Sequence, residues 1–516
     1  MASLPPKFTA LIFISVACLA LAVRLPQLSE RPMHTDEAVN AYITGQLLAG
    51  ESYHYDNRDR HGPALYALAL PLARLAGAHS LADLNEFELR LGPVITGTLA
   101  VFLFAAFIPE IGLLAAVLAA LLWAIAPPVV YYNRYFIHET MFLAATMVLL
   151  ASGWRMLKSR SIGFGLLTGV AGGLMVACKE TAILGFAAAG LALLYGWFVA
   201  ARIARANNSR PGSLGKDCLL PLIAAGASGL LVVLLCFSWG GTHWQGIKNL
   251  AEAAPHLSNR AGGEGHQKPA WYYLHLLGDG WSGWVFLVLA LIGSLNILTR
   301  LVPLSATEVS HSPTMDADVA RRLLVLYTVL ICGIYSAIPY KTPWLVLNLW
   351  LPLALLAGLG MATLWQLARR TAARWPLLLG ALGLLVLMAH DTRLRVFLKP
   401  ADEHNPYAYA HTGEDLLRLP ERMEKLAQTN PAGRNLRIAV VAADPWPLPW
   451  YLRHFPEVGY WQPDQNPGPA DVYITSLQVD DALSAKLQSW RPEFFGVRPE
   501  VLIVLWTPPE PAAATP

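Results

Sequence analysis

The sequence predicts an all-α polytopic membrane protein with a small C-terminal α/β domain, and three observations carry that prediction. Apolar residues fill 55% of the 516 positions and charged residues only 14%, against roughly 25% charged in a soluble domain. Mean hydropathy is +0.42. Apolar runs long enough to cross a bilayer recur as far as His390, after which the composition turns mixed and charged. The 38 Lys and Arg against 35 Asp and Glu leave a net charge of +3, which excludes a strongly basic nucleic-acid binder. The partner of most of this chain is the lipid bilayer. Five cysteines, odd in number and without paired spacing, exclude a disulfide or zinc framework.

The first run, Phe8 to Val23 behind Lys7, fits either a signal peptide or a membrane helix. With ten further runs behind it, it reads as a retained helix. The eleven spans fall near 8–25, 91–108, 111–130, 140–156, 162–178, 181–200, 218–239, 284–299, 323–339, 343–367 and 375–390. Basic residues gather in alternate connections: Lys7; Arg155, Lys158 and Arg160; Arg202, Arg205, Arg210 and Lys216; Arg300, Arg321 and Arg322; Arg369, Arg370 and Arg374. The positive-inside rule makes those ends cytoplasmic. Gly62 to Ala76 is apolar but too short to cross, so it is expected as a helix on the membrane surface, with Tyr66 and Arg74 at the headgroups. The C-terminus is then extracytoplasmic. Residues 1–390 form the transmembrane domain, its external loop at 26–90; residues 391–507 form the soluble domain, and 508–516, rich in Pro and Ala, a disordered tail. Within the soluble domain Glu414 to Gln428 reads as a helix and Trp450 to His454 opens another, while Leu436 to Ala442, Asp471 to Thr475 and Val501 to Trp506 read as strands.

That topology gathers ionisable residues on one face. His34, Asp36 and Glu37 follow the first span, with His61 and Tyr66 later in the same loop. Arg134, His138 and Glu139 join the third and fourth spans, and Lys179 and Glu180 end the fifth. His243, Arg260, His266 and Lys268 occupy a long external loop, and Tyr340 and Lys341 end the ninth span. An unpartnered ionisable group beside hydrocarbon costs several kcal/mol, so such a set is a functional hypothesis. Carboxylates to deprotonate a hydroxyl, cations to hold a phosphate leaving group and aromatic faces for a sugar or lipid suit group transfer from a phosphate-linked donor.

Each residue also has a plainer reading. Thr35 or Asp36 caps the helix that follows, Arg134 among tyrosines anchors the interface, Lys179 and Glu180 pair to close a helix end, and Lys341 snorkels outward. Trp446, Trp450 and Tyr451 either fill the core of the soluble domain or line an acceptor groove.

The ordered set of motifs carries a resemblance. His34-Thr35-Asp36-Glu37-Ala38, His61-Gly62-Pro63-Ala64-Leu65-Tyr66 and Glu88-Leu89-Arg90-Leu91 resemble the first external loop of GT-C glycosyltransferases, in the branch of the protein O-mannosyltransferases and aminoarabinose transferases. Tyr131-Tyr132-Asn133-Arg134-Tyr135, His138-Glu139 and Cys178-Lys179-Glu180-Thr181 continue the match. Pro339-Tyr340-Lys341-Thr342-Pro343-Trp344 and Asp444-Pro445-Trp446-Pro447-Leu448-Pro449-Trp450-Tyr451 are similar to a flippase-activity-associated subfamily. The resemblance implies transfer of a sugar from a polyprenyl-phosphate donor to a glycan, lipid or protein acceptor, at the external face of the cell membrane. By the same resemblance Asp36 matches the family's essential acidic residue, the base or the group that orients the acceptor; Glu37 and Glu139 are expected to assist it or to hold a metal. Glu139 stands near a second acidic position, where Asp is commoner. Arg134, Lys179 and Lys341 would hold the donor phosphate, and His61, Tyr66, His138, Glu180 and Tyr340 the substrates. These motifs establish no cofactor. Some relatives bind a divalent metal near this loop, and the set His34, His61, His138 and His266 permits one, with His34 and His266 as the candidate ligands.

Two rival classes are a transport-associated protein that assists the flipping of lipid-linked saccharides, and a catalytically silent scaffold. Charge confined to one face counts against the first, because a translocation path needs polar lining through the midplane.

Overall fold

The computed structural model describes residues 5–57, 60–206, 216–262, 265–299, 317–368 and 370–509. Arg210, Arg300 and Arg369, and residues 510–516 of the expected tail, lie outside the described residues. Helix is found in every region expected as a span, although the run 111–130 holds two helices. Among the described residues eight helices are long and apolar enough to cross a bilayer, and the remaining expected spans are the helices Leu113–Ile125, Ile162–Cys178 and Ala317–Ala337. The chain is an integral membrane protein.

The run expected as one span over 111–130 is divided. Its helix stops at Ile125, Ala126 turns extended (ψ 134°), and a short helix, Pro127–Tyr132, restarts behind it. A proline disfavours helical geometry in the residue before it and is well placed at the first position of a new helix. The segment Ala64–Leu75 is a helix of 12 residues, about 18 Å long at 1.5 Å per residue and too short to span. Tyr66 does not sit at headgroups as expected: it is fully buried, packed against Tyr53 and His138, while Arg74 is exposed.

The glycines of the helix Ile162–Cys178 have a packing role. Gly165, Gly169 and Gly173 recur every fourth residue and face the backbone of the helix Lys216–Phe237, where a Cβ on Gly169 would stand 2.0 Å from the Ala225 carbonyl oxygen. This is the small-residue stripe by which membrane helices approach closely. Gly169→Leu is expected to cost at least about 1–3 kcal/mol by overpacking, read as a lowered melting transition in detergent. Gly190→Leu, where a Cβ meets nothing within 4 Å, should leave the transition in place.

The chain divides into two compact units, one of Met1–Pro26, Ser52–Leu68 and Arg90–Leu398, the other of Gln27–Glu51, Ala69–Leu89 and Lys399–Pro516. The first is the helical membrane body. In the second, a five-stranded sheet has the order β2-β1-β3-β5-β4, with β1 Ile438–Val441, β2 Val458–Trp461, β3 Val472–Ser476, β4 Arg491–Arg498 and β5 Val501–Thr507. β2, β1 and β3 run parallel, and β5 and β4 join antiparallel. The helix Arg418–Thr429 follows a 3-10 turn at Glu414–Leu417, as expected. The expected helix at 450–454 is a single turn, Leu448–Tyr451. Two strands escape the sequence reading: β2 is only four residues long, and β4 has only two of its eight residues buried, so neither carries a clear apolar run.

Trp450 packs rather than lining a groove. It is fully buried, and its Nε1 donates to Glu86 Oε1 at 2.8 Å. Met33 N donates to the Tyr451 hydroxyl at 2.9 Å, and the Thr412 hydroxyl donates to Met33 O at 2.7 Å. These bonds fix the strand of chain that enters the Asp36 helix.

Candidate functional site

The Asp-Glu pair opens the helix Thr35–Leu48, and its cap is neither Thr35 nor Asp36 but His34. His34 Nδ1 accepts from Asp36 N at 3.0 Å, and its Nε2 lies 3.0 Å from the Tyr409 carbonyl oxygen. That pairing fixes the neutral tautomer with its proton on Nε2. Glu37 closes the reciprocal half of the capping box by accepting from His34 N at 3.2 Å, and both its oxygens accept from Arg31 at 3.2 Å. Glu37 is fully buried. Its neighbour differs: the Asp36 side chain is half-buried, and among the described residues its carboxylate has no hydrogen-bond or ion-pair partner. It also lies in the first turn of a helix, where the backbone dipole favours a negative charge. Of the two carboxylates expected here, Glu37 is the one engaged in holding the loop.

The membrane body carries a second group. Glu139 opens the helix Glu139–Ser159, and Lys179 ends the helix Ile162–Cys178 in an extended conformation (φ −151°). Their side chains meet in a buried ion pair at 2.5 Å, with 5% and 6% exposure. Lys179 therefore pairs with Glu139, not with the adjacent Glu180. Burial lowers the lysine's pKa, but the charge and hydrogen bond of Glu139 outweigh it and hold the pKa above its ordinary value.

Glu180 accepts from the Tyr55 hydroxyl at 2.6 Å and meets His61 Nδ1 at 3.2 Å. Burial pushes this carboxyl up, yet the hydrogen bond and charge of His61 and the bond from Tyr55 prevail, bringing its pKa from 4.5 to about 2. A depressed carboxylate stabilises the fold above its unfolded pKa, and that contribution fades as pH falls from 4.5 through about 2. Glu180→Gln is expected to lower stability by about 3 kcal/mol near neutral pH, with the gap to wild type closing below pH 4 in melting curves recorded across that window.

His138 packs edge-on to His61, ring centres 5.5 Å apart, with Nε2 2.9 Å from the Gly62 carbonyl oxygen. Burial holds its pKa well below the usual histidine value, so it is neutral and directs an N–H at that carbonyl.

Lys341 lies in a tight antiparallel bridge between residues 266–268 and 339–341: Lys268 N donates to Pro339 O and Lys341 N to His266 O, both at 3.1 Å. The His266 and Tyr340 rings meet edge-on at 4.8 Å. Lys341 is 1% exposed and does not snorkel. Its ammonium donates to the Ile338 and Lys268 carbonyl oxygens, and among the described residues it pairs with no carboxylate. Tyr340 is within electrostatic reach of Lys179, which joins this bridge to the Glu139 group.

Arg134 is not an interfacial anchor. It is buried, donates to the Arg24 and Pro26 carbonyl oxygens at 2.5 and 2.6 Å, and stacks on Phe397 at 4.8 Å, so it ties the end of the first helix to the Tyr131–Tyr135 turn. Arg134, expected as a phosphate ligand, is thus engaged as a main-chain clamp. In the long loop His243 contacts His54, Nε2 to Nδ1 at 3.2 Å. Sequence reasoning missed Arg31 and Tyr55. Arg31 stands only six residues before Glu37, within return reach of the helix's first turn, whereas nothing local marks Tyr55.

A divalent metal does not fit the candidate ligands. Both nitrogens of His34 are engaged by the cap and the Tyr409 carbonyl, and among the described residues no three His, Cys, Asp or Glu side chains are placed to hold an ion.

The family profile described as dolichyl-phosphate-mannose-protein mannosyltransferase matches residues 14–209. No curated protein sequence matches the chain. The structure is similar to that of ArnT from Cupriavidus metallidurans bound to undecaprenyl phosphate, at 15% identity over 97% of this chain and 98% of that one, with a TM-score of 0.58. It is also similar to the archaeal oligosaccharyltransferase AglB from Archaeoglobus fulgidus in complex with an inhibitory peptide and a dolichol-phosphate, at 12% identity over 98% of this chain and 76% of that one, with a TM-score of 0.59.

Proposed function

From the premise that the fold is that of the GT-C membrane glycosyltransferases, we propose that the chain transfers a sugar from a polyprenyl-phosphate donor to an acceptor hydroxyl at the extracytoplasmic face. The observation that carries the reading is the contrast among four acidic residues. Glu37, Glu139 and Glu180 are each bound to a cation or a phenol, and Asp36 alone of the four has a carboxylate left for substrate among the described residues.

In this reading Asp36 accepts the proton of the acceptor hydroxyl as that oxygen attacks the anomeric carbon, and the bond to the phosphate oxygen breaks with inversion. Phosphate is a good leaving group, so the chemistry asks for charge stabilisation more than for a general acid. Lys341 meets the donor phosphate, because a buried ammonium held, among the described residues, by carbonyls alone gains most from an anion. Lys179 and Glu139 form the adjoining wall, and His61, His138, Glu180, Tyr66 and Tyr340 shape the sugar site. Glu37 and Arg134 position the segments on which these groups stand. The C-terminal unit beyond residue 398 is proposed to be extracytoplasmic, in line with the alternating charge of the loops.

Lys341→Met is expected to weaken polyprenyl-phosphate binding about tenfold to a hundredfold, the loss of one charge-assisted bond. Titration of purified protein with the lipid measures it, and unchanged affinity would remove Lys341 from the donor site. The reaction itself is tested in proteoliposomes carrying labelled polyprenyl-phosphate sugars and a mixture of acceptors. Free polyprenyl phosphate appearing together with a glycosylated acceptor is the expected result; intact donor appearing on the opposite leaflet would favour the flipping-associated class instead.

A further inference from the structure

The membrane body contains an apolar cavity of about 260 Å³ at the end of the helices remote from Lys179 and Lys341. It lies between the helices Glu139–Ser159, Ala182–Ala206 and Ala317–Ala337, with Phe107, Ala189 and Leu193 among its walls and Glu110, Arg155 and Arg321 at its polar end. Sixteen residues of one helix separate Glu139 from Arg155, about 24 Å of rise, so this is not the site described above. Leu193 and Leu222, both lining residues, are 40% and 46% exposed on the outer surface of the helices. The cavity is therefore reached sideways from hydrocarbon rather than from water.

The polar end has a consistent sign. Arg155 is held by the Ala151 and Ala106 carbonyl oxygens, and Arg321 donates to the Glu110 carbonyl oxygen. Arg155 and Lys158 are within electrostatic reach of the Glu110 carboxylate, and among the described residues that line the cavity two cations, Arg155 and Arg321, face that one acid. By the charge asymmetry of the loops this is the cytoplasmic leaflet, where anionic headgroups meet basic side chains. An apolar cavity of this size stays dry and takes an apolar occupant. We propose that it binds one anionic phospholipid of the cytoplasmic leaflet, its acyl chain against Ala189 and Leu193 and its phosphate at Arg155 and Arg321. A polyprenyl phosphate would offer similar chemistry, but the phosphate-binding groups assigned to it lie at the other end of the helices.

The test is native mass spectrometry of the full chain released from nanodiscs, first of phosphatidylglycerol, then of phosphatidylcholine, then of phosphatidylglycerol with added undecaprenyl phosphate. The expected result is one retained phosphatidylglycerol, at least tenfold more abundant than retained phosphatidylcholine and not displaced by undecaprenyl phosphate. Ala189→Phe or Leu193→Trp, which fill the cavity, should remove the adduct in protein that still melts cooperatively. Arg155→Gln should keep a lipid adduct while losing the preference for phosphatidylglycerol. No adduct in wild type, an adduct unaltered by both filling variants, or its replacement by undecaprenyl phosphate would each overturn the proposal.

Discussion

Asp36→Asn is expected to lower sugar transfer by about 10²- to 10⁴-fold, the range lost with a general base, while leaving the protein folded and able to bind donor. The reason lies in the local bonds. The Asp36 N–H, which the substitution keeps, is what His34 holds, and its carboxylate contributes to no hydrogen bond or ion pair among the described residues. An amide of the same shape therefore changes the proton chemistry and little else. Glu37→Gln should behave differently: it leaves the buried Arg31 without its carboxylate, so lowered stability should accompany any loss of activity. Melting curves and initial rates on the same preparations separate the two.

The second large effect is on stability. Glu139→Gln strands the buried Lys179 ammonium, and Lys179→Met strands the Glu139 carboxylate; removing one member of a buried pair costs roughly 3–5 kcal/mol, whereas replacing both is often close to neutral. The double variant Glu139→Gln with Lys179→Met is accordingly expected to melt within a few degrees of wild type, and each single variant far below it. If the pair also serves the donor phosphate, the double variant regains its fold but not its affinity for polyprenyl phosphate. Single variants as stable as wild type would show that the pair is not desolvated as the geometry indicates.

Much of the fold was legible because hydropathy alone marks a membrane helix. Even the break at Ala126 has its cause in the chain, in Pro127 and Pro128. The short strand β2 and the sparsely buried strand β4 were not legible, because their stability comes from pairing with β1 and β5 rather than from a local pattern. At the site, the sequence named the ionisable residues but not their partners. Lys179 and Glu180 are neighbours in sequence, but the extended backbone at Lys179 sends the two side chains to different partners, Glu139 and the Tyr55–His61 pair. Asp36 and Glu37 look equivalent in the sequence. What separates them is Arg31 folding back on Glu37 and His34 serving as the cap, and a cap by histidine instead of Ser, Thr, Asp or Asn is not one that helix-start rules select. Tyr66 looked interfacial because it is amphipathic; packing against Tyr53 and His138 buries it instead.

The account turns on Asp36 acting on substrate, and the most direct measurement compares wild type with Asp36→Asn in purified, lipid-reconstituted form against a panel of radiolabelled polyprenyl-phosphate sugars. The predicted result is release of polyprenyl phosphate by wild type from at least one donor, and retained binding of that donor without release by the variant. Release by Asp36→Asn at the wild-type rate, or no release by wild type from any donor that it measurably binds, would contradict it.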